Sequence, residues 1–161
     1  MIDIPRDLPP LGHVGYIVEN IDAGVDGFRR ALGVGNFRVY DYVPLRAWAY
    51  GRSLSPCRLR IGIGSVGGHV KIELIQPGEG ATPQASFLQE KGPGLHHVAF
   101  SSERYEEWLD RFRGLGAAIV FEAEAEDAVV GYRRSFYAEI ADAAGIVEIS
   151  EIPRRRAGEP A

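Results

Sequence analysis

The sequence predicts an α+β protein built from two βαβββ modules. Three observations carry that prediction. Leu11-Gly12-His13-Val14-Gly15-Tyr16 and Leu95-His96-His97-Val98-Ala99-Phe100 resemble each other, and each runs into a helix-like segment ending near a glycine, Gly33 or Gly116. Each half closes on a strand with a central glutamate, Lys71-Ile72-Glu73-Leu74-Ile75 and Ile146-Val147-Glu148-Ile149-Ser150. The spacing from His13 to His97 is too long for a solenoid repeat and marks duplication of one module.

Along the chain, residues 1–10 hold three prolines and read as an arm. Residues 13–18 are β-branched and aromatic, as in a strand. Over 22–32, Val25, Phe28, Arg29 and Leu32 have helical spacing and Gly33 supplies a stop. Residues 37–43, 57–63 and 69–76 read as strands, the first two separated by an irregular stretch over 44–56. Residues 78–94 are a turn-rich connector with a helical piece at 84–90. Residues 95–101 form a strand, and Ser102 caps a helix over 103–115 whose stripe is Tyr105, Trp108, Leu109, Phe112 and Leu115. Residues 118–121, 133–140 and 145–152 are three further strands, and 122–127 reads as a solvated acidic loop. The predicted organisation is arm 1–10, first module 11–77, connector 78–94, second module 95–152 and a flexible tail 153–161.

Composition narrows the function classes. The chain has 161 residues, 45% hydrophobic, 25% charged, with net charge −4. That is ordinary for a globular domain and gives no electrostatic reason to expect nucleic acid or an anionic membrane. One cysteine excludes an internal disulfide, and no basic, apolar leader or long apolar run is present, so a cytoplasmic protein is expected. Gly62-Ile63-Gly64-Ser65-Val66-Gly67 matches GxGxxG literally, but a strand rather than a helix follows it, which argues for a hairpin turn instead of dinucleotide binding. Cys57 has no evident base partner and reads as structural, and no serine sits in a nucleophile elbow.

The chemistry concentrates in His13, Glu73, His97 and Glu148. A glutamate inside an apolar strand is costly to bury without a partner or a cation. Two imidazoles and two carboxylates around one divalent ion make a neutral cluster suited to Ni, Co, Zn, Mn or Fe. An octahedral ion so held keeps two positions for neighbouring substrate oxygens. Alternation places His96 on the face opposite His97, and His69 in a surface loop. Arg46, Trp48, Tyr50, Arg52 and Arg58 could line a pocket for an anionic or aromatic substrate.

These segments, in this order, resemble the vicinal oxygen chelate superfamily, which includes glyoxalase I, methylmalonyl-CoA epimerase, extradiol dioxygenases and fosfomycin- and bleomycin-resistance proteins. The resemblance spans residues 11–152. Gly92-Pro93-Gly94-Leu95-His96-His97-Val98 and Lys71-Ile72-Glu73-Leu74-Ile75-Gln76-Pro77 look most like the epimerase-like members, with glyoxalase I-like members next. It implies paired modules curving a mixed sheet around the metal, with His13, Glu73, His97 and Glu148 as ligands. It also implies a homodimer and a ligand carboxylate that doubles as base, Glu148 first and Glu73 second. Substrate contacts are implied near Tyr132 and Arg133. One departure is plain: the epimerases carry a further catalytic glutamate on a middle strand, whereas residues 40–60 here contain only Asp41 as an acid. Either the substrate is not methylmalonyl-CoA or the base lies elsewhere. The expected activity is a metal-dependent isomerase, epimerase or lyase acting on a 2-oxo compound or acyl thioester through an enolate or enediolate. An Fe(II) ring-cleaving dioxygenase and a metal-free binding or resistance protein are the alternatives.

Overall fold

The computed structural model describes residues 8–68, 70–127, 131–143 and 145–152. Ten strands form one sheet. The first half supplies β1 (Leu11–Ile17), α1 (Ile21–Leu32), β2 (Arg38–Tyr42), β3 (Arg46–Ala49), β4 (Arg52–Ser53), β5 (Leu59–Ser65) and β6 (Lys71–Pro77). After α2 (Pro83–Lys91) come β7 (Gly94–Ser102), α3 (Tyr105–Gly114), β8 (Ala118–Asp127), β9 (Gly131–Ile140) and β10 (Gly145–Glu151). Across the sheet the order is β2-β5-β6-β1-β7-β10-β9-β8-β3-β4, and the same pairing recurs in each half: β1 runs parallel to β6, and β7 runs parallel to β10. The halves join where β1 and β7 pair antiparallel. The predicted α+β architecture of paired βαβββ units is the one observed.

Strand alternation sorts the side chains. Val14 and Tyr16 of β1 pack with Ile72 and Leu74 of β6 beneath Ile21 and Val25 of α1. The intervening His13, Gly15 and Ile17 face the inner side, where Ile17 meets Leu59, Ile61 and Ile75. In the second half, Tyr105, Trp108 and Leu109 of α3 cover Phe136, Ala138 and Ile149. Helix α1 starts where Asn20 Oδ1 accepts from the Ala23 amide at 2.9 Å and stops at Gly33, whose φ of 70° needs glycine. Among the described residues no helix is long and apolar enough to cross a membrane.

Four expectations change. The stretch 44–56 is not irregular: β3 and β4 form a hairpin around Tyr50 and Gly51, both at positive φ (50° and 74°), as a two-residue primed turn requires. That hairpin pairs with β8 of the other half, Arg46 opposite Glu124 and Trp48 opposite Glu122. Only residues 43–45 connect β2, at one side of the sheet, to β3, at the other. So short a link spans roughly 14 Å, so the sheet has to curl until its sides approach. The acidic run is no loop either. Glu122 and Glu124 belong to β8, alternating with buried Ala123 and Ala125, and Glu124 accepts from Arg46 Nε at 2.8 Å. Ser102 does not occupy the capping position of α3, which is Arg104. Its Oγ instead accepts from the Arg104 amide at 3.0 Å. Finally, Gly62 and Gly64 lie within β5 rather than in a turn, where a side chain at Gly64 would strike Val34 and Phe37. Residues 1–7, His69 and the tail from 153 lie outside the described residues.

Candidate metal centre

His13, Glu73, His97 and Glu148 stand on four consecutive strands, β1, β6, β7 and β10, in the middle of the sheet. The register explains their convergence. Gly15 lies between Glu73 and His97, and Ala99 lies between His13 and Glu148. Each histidine thus leans over a small residue of the neighbouring strand. A side-chain carbon at Gly15 would fall inside the His97 ring, so glycine there is a condition of the arrangement.

His13 Nε2 is 3.4 Å from Glu73 Oε2 and 3.1 Å from Glu148 Oε2. His97 Nε2 is 3.2 Å and 3.1 Å from the same two oxygens, and the two Nε2 atoms are 3.2 Å apart. All four donor atoms lie within 4.8 Å of one another. Two ring nitrogens hold at most two protons, too few for five such contacts. Glu73 Oε2, fully enclosed, has no hydrogen-bond partner among the described residues despite those short distances. Ligands about 2.1 Å from a shared ion are about 3.0 Å apart as octahedral neighbours and about 3.4 Å apart in a tetrahedron. The observed spacings fall in that interval, and the N2O2 donor set suits a divalent transition metal.

Electrostatics agrees with a site built for positive charge. Burial by itself depresses the His13 imidazolium, but Glu73 and Glu148 override it and raise its pKa to about 10 from 6.5. His97 is raised too, against its burial, by the same carboxylates 3.1–3.2 Å from its Nε2. Burial opposes ionisation of Glu73, yet the adjacent imidazoles hold it down to about 2, and Glu148 is likewise lowered. The sign follows from linkage. Without metal, the raised His13 stabilises the fold fully below about pH 6.5 and ceases to as pH rises through about 10. The lowered Glu73 stabilises above about pH 4.5, an effect lost as pH falls through about 2. A metal ion needs both Nε2 lone pairs, so loading at pH 7 is expected to expel more than one proton per ion, approaching two. Affinity should therefore climb with pH toward about 10. Titration calorimetry in two buffers of different ionisation enthalpy measures the release; a heat independent of buffer would contradict it.

Around the four, Ser150 Oγ donates to Glu148 Oε1 at 2.5 Å. Tyr137 lies against Glu148 and edge-on to His97, with ring centroids 4.9 Å apart. Burial, then Glu148, pushes the Tyr42 and Tyr137 hydroxyls well above their ordinary value. His96 is not on the far side of the sheet. The β1–β7 register skips it, Gly15 pairing with His97 and Tyr16 with Leu95, and this bulge turns both rings inward. His96 Nδ1 sits 2.9 Å from His97 Nδ1, and its ring packs edge-on against Phe87. Burial, then the neighbouring His97, lowers His96 to about 3. A lone pair on His97 Nε2 therefore requires His97 Nδ1–H to donate to His96 Nδ1, which places the His96 proton on Nε2, buried and without a partner.

The centre forms part of the wall of a cavity of about 560 Å³. Of the residues expected to contact substrate, Arg133 lines it. Arg46, Trp48 and Tyr50 sit on the β3–β4 hairpin and its turn instead. Arg46 packs over Trp48 and pairs with Glu124, near Tyr132, and Tyr50 is exposed. Asp41 is exposed between the cavity-lining Tyr40 and Tyr42, so the cavity walls gain no third acid from this region. Lys71, Ser150, Tyr42 and Tyr137 were not singled out by sequence. Lys71 and Ser150 are two residues from the glutamates, so alternation alone places them on the same face; Tyr42 and Tyr137 emerge only from the curl of the sheet.

A family model described as Glyoxalase/Bleomycin resistance protein/Dioxygenase superfamily matches residues 12–134. Uncharacterized protein YqjC of Bacillus subtilis (strain 168) is 39% identical over 61 residues, 31% of this chain and 44% of that protein. The chain thus matches less than half the length of that relative. Methylmalonyl-CoA epimerase from Mycobacterium tuberculosis superposes with a TM-score of 0.65 at 21% identity, covering 98% of each chain. The Streptomyces coelicolor methylmalonyl-CoA epimerase in complex with 2-nitronate-propionyl-CoA gives 0.63 at 18% identity, over 91% of this chain and 99% of that one. At such identities the likeness is one of fold.

Proposed function

The chain belongs to the glyoxalase/bleomycin resistance protein/dioxygenase superfamily, and from that premise we propose that it is a metal-dependent isomerase, epimerase or lyase acting on a 2-oxo compound or acyl thioester. The convergence of His13, Glu73, His97 and Glu148 beside a cavity is the observation that carries this reading. When bound, a divalent ion held by these four would supply Lewis-acid charge to a substrate carbonyl oxygen.

The chain's own residues divide the remaining work. A carboxylate beside the cavity removes a proton from the carbon next to the carbonyl and returns it, to the same carbon or its neighbour. Glu148 and Glu73 are the candidates, and hydrogen bonding distinguishes them. Ser150 holds Glu148 Oε1, while Glu73 Oε2 has only the two imidazoles, 3.4 and 3.2 Å away, beside it. This favours Glu73 as the carboxylate free to move and Glu148 as the fixed one, the reverse of the order the family resemblance suggested. Tyr42, Phe121 and Tyr137 wall the cavity and keep bulk water from the proton in transit.

The test is proton exchange. The chain is loaded in turn with Ni, Co, Zn, Mn or Fe(II) and incubated in D2O with a panel of thioesters and 2-oxo compounds. Deuterium should enter at the carbon next to the carbonyl and stop on chelation. Glu73→Gln should slow exchange by about 10²–10⁴-fold, with Glu148→Gln weakening metal binding as well. Oxygen uptake with a catechol and no exchange would replace this reading with ring cleavage; no metal uptake at all would leave a binding protein.

A further inference from the structure

The cavity is polarised along the strand direction. At one end Ser101, Ser150 and Ser135 stand in a row across β7, β10 and β9, Ser150 being opposite both of the others. All three line the cavity, as do Lys71, two residues before Glu73, and Arg133, two residues before Ser135. Among the described residues neither Lys71 nor Arg133 makes an ion pair, whereas Arg134 beside them is held by Glu106 and Glu151. The opposite end is formed by Leu59 and Ile61, both buried, while Phe121 and Tyr137 stand level with Glu148. The four-residue cluster lies between the two ends.

Charge makes the two cations informative. The carboxylates of Glu73 and Glu148 face the two imidazoles at 3.1–3.4 Å rather than Lys71 or Arg133. An unpaired cation on each side of one cavity, with serine hydroxyls between, favours an oxyanion. The buried apolar end favours a hydrocarbon group. We propose that the cavity takes an amphiphilic anion lying across the cluster, its apolar group against Leu59 and Ile61 and its oxyanion between Lys71 and Arg133. This deepens the proposed function and rests on it for placing the reacting carbonyl at the cluster. The anion-to-hydrocarbon orientation rests on the cavity alone. Carboxylate and phosphate share the chemistry required.

The experiment titrates the full-length chain, metal-free and metal-loaded, with hexanoate, hexyl phosphate and neutral 1-hexanol. Binding is followed by calorimetry and by tyrosine fluorescence. At least one anion should bind about tenfold or more tighter than the alcohol, with or without metal. Lys71→Gln/Arg133→Gln should lose that preference while taking up metal like the wild type, and hexanol binding should not change. The stronger of the two anions identifies carboxylate or phosphate as the head group. Equal binding of anions and alcohol, or a preference that survives in the double variant, overturns the proposal. Failure of metal uptake with the anion preference intact would remove the proposed chemistry and leave this orientation standing. Normal metal uptake without the preference would do the opposite.

Discussion

His97→Ala should abolish the rise in melting temperature that divalent metal gives the wild-type chain. An ion that binds only the folded state, free at about 100 times its dissociation constant, stabilises by about 2.7 kcal/mol. For a chain of this length that corresponds to about 5–10 °C. His97 is 2% exposed and touches both carboxylates, so its loss removes one of four donors and leaves Glu148 as the second half's one remaining ligand. The metal-free variant should also melt lower than metal-free wild type. Two enclosed carboxylates then share His13 as their one imidazole, and breaking a buried pair costs about 3–5 kcal/mol. Differential scanning fluorimetry with and without Ni, Co, Zn or Mn reads both effects. Should His97→Ala prove too unstable, His13→Ala tests the same claim from the more exposed side of the centre. A metal-induced shift that survives in either variant would refute the shared ion.

Gly15→Ala should be nearly as damaging, although it adds one methyl group and alters no donor. The added carbon would occupy the space of the His97 imidazole. Either the ring leaves the centre or β1 and β7 separate where the two halves join. Overpacking of this kind costs about 1–3 kcal/mol, and metal uptake should fall with it. Gly27→Ala provides the contrast. It lies in α1 with open space around it, and replacing a helical glycine there should stabilise by about 0.5–1 kcal/mol. The same substitution thus has opposite signs at two sites. Thermal melts of the two variants, with metal titrations, decide it; a Gly15→Ala protein that binds metal normally would mean the histidine has another way to reach its place.

What the sequence could reveal follows from the range of the interactions involved. Alternation and helical spacing are local, so β1, β6, β7 and β10 and the helices were readable, and with them the slots of His13, Glu73, His97 and Glu148. The pairing of β3 with β8 joins Arg46 to Glu124 across 78 residues, and nothing near residue 46 signals it. The bulge that turns His96 inward depends on how β7 meets β1, which spacing within β7 cannot supply. The acidic run was misread for a different reason. Its period-2 pattern of glutamate and alanine was present, but charge outweighed periodicity. The cavity's aromatic wall needed the curl of the sheet and had no local signature.

The β3–β4 hairpin ties the two halves together. It is encoded between strands of the first half, yet its partner strand belongs to the second. A chain severed in the segment around α2 would yield one fragment with an orphaned ribbon and another with β8 bare along its outer edge, open to pairing with further copies. Neither half completes its own strand pairing, and swapping one half for that of a relative would have to carry this ribbon with it.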